Sequence, residues 1–367
     1  MFKRHSSNVE LLPHDVVELI LESVPVEPLV RFKRVSKRWK TTIDSRSFQE
    51  RQLIRRKESR GPGDVLFVYL LDADDKAPIV LGSSIIPTVK LPFPKFTVCH
   101  STCDGLICLY CYEHTSNIVV NPATQWHRSF PFSSVQQFIA DTYYGEERVA
   151  PTYRLGFGKD KIKGTYKPVW LYNSLEFGLD NVTTCEVFDF SKNAWRYVVP
   201  ASPYGILCFL MPVYLDGSLD WLTNCNETKV LSFDLHTETF QVISKTPFAH
   251  APDWEYVSLC ILDNRLCVTE KKWPTQVIWS FDSSGGNNKW KKMCSIDLTE
   301  TIHWFPRYSL VPLPVAIMEK NKLLLHGRDR DYNQAFVLYD LHTKSYDFVT
   351  PTTPGECIYY FESFFSV

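Results

Sequence analysis

A chain of 367 residues, 44% hydrophobic and 22% charged, has the composition of a globular protein and excludes a disordered, collagenous or coiled-coil one. The formal net charge of −1 argues against a general nucleic-acid binder, which carries a basic surplus. That sum conceals a split: residues 1–60 hold 14 Lys and Arg against 8 Asp and Glu, whereas the remainder holds 26 against 33. The start, Met1-Phe2-Lys3-Arg4-His5, leads into polar residues, so no secretory signal is expected. Eleven cysteines, an odd number scattered along the chain, read as reduced thiols of the cytoplasm or nucleus, and the sequons at Asn181 and Asn226 as chance matches. Residues 197–215 are free of charge but contain Pro200, Pro203, Gly205 and Pro212. That density of breakers rules out a spanning helix and predicts two short buried strands around a turn. No membrane partner is expected.

The first sixty residues are helical in pattern. Val17, Ile20, Leu21 and Val24 fall at i, i+3, i+4 and i+7, one face of a helix that Pro25 ends. Pro28 suits the first turn of a second helix bearing Leu29, Phe32 and Val35. Ser36 can cap a third with Trp39 and Ile43, and Ser47 a fourth with Phe48. A unit this small buries little apolar surface alone and is expected to place some of it on a partner.

The run from Leu12 to Trp39 resembles an F-box. The residues carrying the resemblance are Leu12-Pro13, Ile20-Leu21, Val24-Pro25, Leu29, Arg31-Phe32, Val35-Ser36-Lys37, Trp39 and the trailing Phe48. It covers residues 8–53, with 54–63 as a linker, and implies a three-helix unit that docks on the Skp adaptor of an SCF-type ubiquitin ligase, which also contains a cullin. The resemblance divides Leu12, Pro13, Ile20, Leu21, Pro25, Leu29, Val35 and Trp39 between adaptor contact and internal packing. Glu27-Pro28 departs from the basic-then-small pair common there. The competing readings are a simple structural bundle and a basic DNA-binding motif, the latter disfavoured by the acidic remainder.

From residue 64 onward short apolar runs alternate with turn clusters, and a repeat emerges. An apolar strand, often after an acidic-Gly or acidic-Asn turn, precedes a second strand ending in Asn or Asp, a turn and an aromatic. The copies place Asn121, Asp189, Asp234, Asp282 and Asp340 before Trp126, Trp195, Phe240, Trp290 and Tyr346. The Asx residues are 68, 45, 48 and 58 apart, periods that indicate propeller blades, with the Asx residue opening a turn and the aromatic packing back across the strand pair. Val65–Leu71 with Tyr359–Phe365 is expected to make a sixth blade. The pattern is similar to the plant-type F-box-associated interaction domain, kelch-like in style though without a double-Gly signature, over residues 64–367. The fold class is therefore α plus all-β, a three-helix F-box before a β-propeller of about six blades.

Chemistry-bearing clusters are few. Cys99, His100, Cys103, Cys108 and Cys111 form the one metal-like group, but Cys108 and Cys111 fall in a strand-like run and read as core thiols, so no metal or cofactor is expected. Gly156-Phe-Gly158-Lys159 matches neither phosphate-loop spacing and reads as a strand turn. No catalytic motif is present, and the chain is not expected to be an enzyme. Target binding falls to long loops, with Arg328, Arg330 and Tyr332 as candidates in the Arg328–Gln334 loop. The combined expectation is a substrate-recognition adaptor; the alternative is a propeller that binds glycans or carries out metabolic chemistry, outside ubiquitination.

Overall fold

The structure, a computed structural model, describes residues 12–58, 65–69, 79–81, 84–86, 88–90, 97–111, 116–143, 153–248, 253–283, 289–318, 321–328, 334–349 and 355–367. Four helices come first: α1 (His14–Glu22), α2 (Val26–Phe32), α3 (Lys37–Asp44) and α4 (Arg46–Glu58). Pro13 and Pro25 stand just ahead of α1 and α2, and Ser36 caps α3 by accepting from the Trp39 amide at 3.1 Å. The unit thus has four helices rather than three. Ser45, not Ser47, takes the Phe48 amide at the start of α4. Residues 54–58, expected to open a linker, continue that helix.

Next come β1 (Val65–Tyr69), the hairpin β2 (Ile79–Leu81) and β3 (Ser84–Ile86), and β4 (Thr88–Lys90). Five four-stranded antiparallel blades follow. Blade 1 is β5 (Thr97–Cys103), β6 (Leu106–Cys111), β7 (Ser116–Asn121) and β8 (Trp126–Pro131). Helix α5 (Ser134–Tyr143) leads into blade 2, β9 (Gly156–Lys159), β10 (Tyr166–Asn173), β11 (Thr183–Asp189) and β12 (Ala194–Tyr197). Blade 3 is β13 (Val213–Leu215), β14 (Ser218–Leu222), β15 (Lys229–Asp234) and β16 (Thr239–Lys245). Blade 4 is β17 (Val257–Leu262), β18 (Arg265–Lys272), β19 (Thr275–Asp282) and β20 (Lys289–Asp297). Blade 5 is β21 (Leu313–Met318), β22 (Lys322–Arg328), β23 (Gln334–Asp340) and β24 (Tyr346–Val349), and β25 (Gly355–Tyr359) ends the set. The charge-free stretch 197–215 departs from expectation: between β12 and β13 it makes one isolated bridge, Ile206 with Thr223, because its prolines break strand pairing.

The repeat has a physical basis in each blade. The side chain of Asn121 accepts from the Ala123 amide at 3.0 Å, and Asp189, Asp234 and Asp340 take the amides two residues on at 2.8 Å. These turns bring the aromatic before each Asp against the one opening the next strand. Phe188 meets Trp195 at 5.2 Å between ring centres, Phe233 meets Phe240 at 4.7 Å, Phe281 meets Trp290 at 5.1 Å and Tyr339 meets Tyr346 at 4.8 Å. Blade 1 has Val120 in place of the first ring. His236 and His342 each donate the backbone amide to the turn-opening Asp, and His236 also sets its ring Nδ1 3.2 Å from the Asp160 carboxylate of blade 2.

The propeller has five full blades, not about six. The sixth position holds a three-stranded sheet, β25-β1-β4, in which β1 runs antiparallel to β25 from Val65↔Tyr359 to Tyr69↔Gly355. The expected partner of β1, Tyr359–Phe365, therefore lies four residues too late. Alternation along β1 closes the ring: Val65 and Phe67 pack on Val315, Leu324 and Phe336 of blade 5, and Leu66 and Val68 on Ile107, Leu109 and Ile118 of blade 1.

The residues after β25 bind the helices to the ring. Glu362 Oε2 accepts from the Val26 amide at 2.8 Å at the start of α2. Phe364 enters the core formed by Leu21, Val26, Leu29, Ile43 and Phe48. Asn121 Nδ2 donates to the carbonyls of Ser363 and Phe365, both at 2.9 Å, and the Arg46 guanidinium lies 4.4 Å from the ring centre of Phe365. Gly105, at φ +76°, permits this approach, since a Cβ there would sit 2.6 Å from the Phe361 carbonyl oxygen.

Two outcomes follow from this packing. Deleting residues 360–367 should leave the ring folded, since β25 remains, but release residues 12–58 to protease; equal resistance in the intact and shortened chains would contradict the tail's role. Asp220, buried on β14 with Oδ1 unpartnered, has its carboxyl pushed up to about 7 by burial. Its folded pKa lies above the unfolded one, so its contribution is complete in acid and is lost as pH rises through 7. Asp220→Asn should therefore be more stable than the parent to denaturant at pH 8, by at most about 4 kcal/mol, with the gain narrowing at pH 5.

Candidate functional site

Antiparallel alternation sorts the connections to two ends of the ring. Turns between the first and second and between the third and fourth strands of each blade share one end, the near end. Second-to-third turns and blade-to-blade connections share the far end. A central channel of about 1050 Å³ is bordered by the innermost strands, and α4 contributes Leu53, Ile54 and Lys57 to its near-end mouth.

The seat of α4 is electrostatic as well as apolar. Asp104, in the β5–β6 turn, receives Lys57 Nζ from α4 at 2.9 Å, Lys159 Nζ from β9 at 2.9 Å and the Tyr166 hydroxyl at 3.1 Å. Burial pushes its carboxyl up, but the two ammonium groups outweigh that and hold it below the usual carboxylate range. Leu53 is buried in the core shared by blades 1–3.

With one face of the helices so engaged, the other is bare. Leu12 is 60% exposed, Val35 60%, Leu19 56% and Ile20 50%, with Pro13, Val16, Pro25 and Val30 also exposed. By contrast Leu21 and Leu29 are fully buried, and Trp39 is half-buried with its ring 5.7 Å from that of Phe32. Of the eight residues singled out in this unit, Leu12, Pro13, Ile20, Pro25 and Val35 face outward, and Leu21 and Leu29 build the core. Val16 and Leu19 join this outward set and were legible at i+4 and i+7 from Leu12, whereas Val30, on α2 beyond Pro25, gave no such signal.

At the far end the connections carry exposed apolar groups: Leu175, Leu179, Val199, Phe209, Tyr308 and Leu310. Phe209 stacks on Trp254 at 4.3 Å, joining two successive blade connections. Arg328 ends β22 at this end and is exposed; Arg330 and Tyr332 lie outside the described residues. Gly156–Lys159 is the strand β9, with Tyr214 filling the space beside Gly158, not a phosphate loop. Cys103 and Cys108 are buried and in no disulfide; burial pushes the Cys103 thiol up, away from the thiolate a metal requires. Among the described residues no group of three His, Cys, Asp or Glu is placed to hold a metal, and no helix is long and apolar enough to cross a membrane.

Residues 9–51 match the F-box domain, and residues 72–367 match the F-box associated beta propeller domain. The chain belongs to the F-box proteins with an associated β-propeller. An Arabidopsis thaliana F-box protein is 61% identical over 289 residues, 78% of this chain and 92% of the relative. An Arabidopsis F-box/LRR-repeat/kelch-repeat protein is 48% identical over 389 residues, covering 100% of this chain and 99% of its own. A further Arabidopsis F-box protein is 47% identical over 399 residues, 98% of this chain and all of the relative. The F-box is thus the helical unit whose one face meets the propeller and whose other face is bare.

Asp104→Asn removes the charge that holds Lys57 and Lys159 together. It should destabilise the folded chain by about 3 kcal/mol. Because the folded pKa of Asp104 lies below the unfolded one, the parent's advantage is present at neutral pH and is lost as pH falls through the carboxylate range. Denaturant midpoints at pH 7 and pH 2, on either side of the lowered folded value, measure this, and an equal gap at both would contradict it.

Proposed function

We propose that this F-box protein is the substrate-recognition subunit of an SCF-type ubiquitin ligase. Its helices dock on the Skp adaptor, which links it to the cullin, and the far end of its propeller holds the target protein. It catalyses nothing itself; it raises the effective concentration of the target at a ubiquitin-charged partner. The observation that carries this reading is the outward set Leu12, Pro13, Val16, Leu19, Ile20, Pro25 and Val35 on a unit whose opposite face is occupied by the ring. An apolar patch of that kind marks a protein interface. Leu21, Leu29 and Trp39 keep the helices in register behind it.

The placement of the two surfaces supports the same reading. Helices clamped at the near end leave the far end of the ring open, and the fixed helix-to-ring contact sets one orientation of a bound target relative to the adaptor. A pull-down on purified Skp adaptor tests the docking face. Leu12→Ala/Pro13→Ala and Ile20→Asp should each weaken binding roughly thirtyfold, the size of an interface hot spot. Their melting temperatures should stay near the parent's, since these side chains are exposed. Undiminished binding by both variants would overturn the assignment.

A further inference from the structure

At the far end of blade 4 lies a small cavity of about 270 Å³, walled by Tyr256, Trp273 and Tyr308 and by three cations, Lys271, Lys272 and Arg307. Lys271 is its least ordinary member. It is 3% exposed, one residue from the end of β18, and its ammonium donates to the Pro306 carbonyl at 3.0 Å, the Ser309 carbonyl at 2.8 Å and the Ser309 hydroxyl at 3.1 Å. All three acceptors are neutral. Among the described residues no carboxylate pairs with it, and burial alone pushes its pKa down to about 8, so it still carries its charge at neutral pH. A buried cation without a counter-charge is costly, and such groups concentrate at binding sites.

Its neighbours divide by availability. Lys272 is engaged by Glu270 at 2.8 Å. Arg307 is exposed, its guanidinium 5.5 Å from the ring centre of Tyr308, with no carboxylate on it among the described residues. Asp253 and Glu255 belong to the adjoining connection, but neither borders the cavity. That connection is tied to the next one by the Val311 amide donating to the Glu255 carbonyl at 2.7 Å. Next to the two tied residues in sequence stand Trp254, stacked on Phe209, and the exposed Leu310.

We propose that this cavity binds an oxyanion, a side-chain carboxylate or phosphate, borne by a segment of the target protein whose apolar neighbours lie on Trp254 and Leu310. Arg307 supplies the exposed, bidentate donor and Lys271 the fixed charge at the floor. Tyr256, Trp273 and Tyr308 form the walls beside both. The inference rests on the reading of the far end as the target-binding face.

The test uses the full chain and three immobilised peptide pools, degenerate in sequence around a fixed central phosphoserine, glutamate or serine. The phosphoserine or glutamate pool should bind above the serine pool, and which of the two leads identifies the oxyanion. Arg307→Ala, an exposed change that leaves the fold intact, should weaken that pool about tenfold, and Lys271→Met should do the same where its melting temperature matches the parent's. Equal binding of all pools, binding unaffected by Arg307→Ala, or binding of inorganic phosphate without any pool would overturn the proposal. The same preparation is checked for Skp-adaptor binding. A failed peptide result with adaptor binding intact overturns only the cavity, whereas loss of adaptor binding by the intact chain overturns the adaptor reading itself.

Discussion

Ring closure through the antiparallel pair β1–β25 is the constraint on which the remaining structure depends, because it joins strands about 290 residues apart and fixes where the chain ends emerge. A propeller left open would expose the apolar faces of blades 1 and 5, which instead receive Leu66 and Val68 on one side and Val65 and Phe67 on the other. Pairing at Val65↔Tyr359 also sets the directions of two segments. The chain before β1 leads back to α4 at the near end, and the chain after β25 emerges at that same end. Residues 360–367 are therefore free to do something other than complete a blade. They lie between the helices and blade 1, supplying Glu362 to α2 and Phe364 to the helical core.

This arrangement gives the molecule two surfaces with different duties. The near end is filled by α4, by the Asp104 ion cluster and by the tail, and it spends apolar and charged groups on holding the F-box still. The far end is built from connections, which differ in length because blade spacing varies while strand spacing does not. Helix α5 is one such insertion, fixed where Glu186 accepts the Ser134 and Val135 amides at 2.9 and 3.1 Å. Variation at that end leaves ring closure untouched, as expected of a scaffold whose loops select a ligand.

Much of this was legible in the residues. The Asx turns were readable because Asn or Asp at the end of a strand has a local job, bonding the amide two residues on, which needs no tertiary context. The aromatic pairs followed from the same spacing, and the helix periodicity exposed the F-box core at Leu21, Leu29 and Ile43. What escaped depends on contacts distant in sequence. The tail Tyr359–Phe365 has the apolar look of a strand, yet Phe364 enters the helical core and Phe365 the core shared by blades 1–3, and only their partners reveal it. The blade number was overcounted for that reason. The residues 54–58 looked like a linker because α4 carries few apolar groups, and the helix persists through Lys57 meeting Asp104, 47 residues away. At the far end, Lys271 gave no signal, since burial of a lysine is invisible in a sequence.

The central claim is that F-box and propeller are one cooperative body joined by the tail and the Asp104 cluster. Scanning calorimetry of the intact chain tests it most directly. The account predicts a single transition whose calorimetric and van't Hoff enthalpies agree. Two separated transitions, with the smaller matching the helices melting off an intact ring, would contradict it.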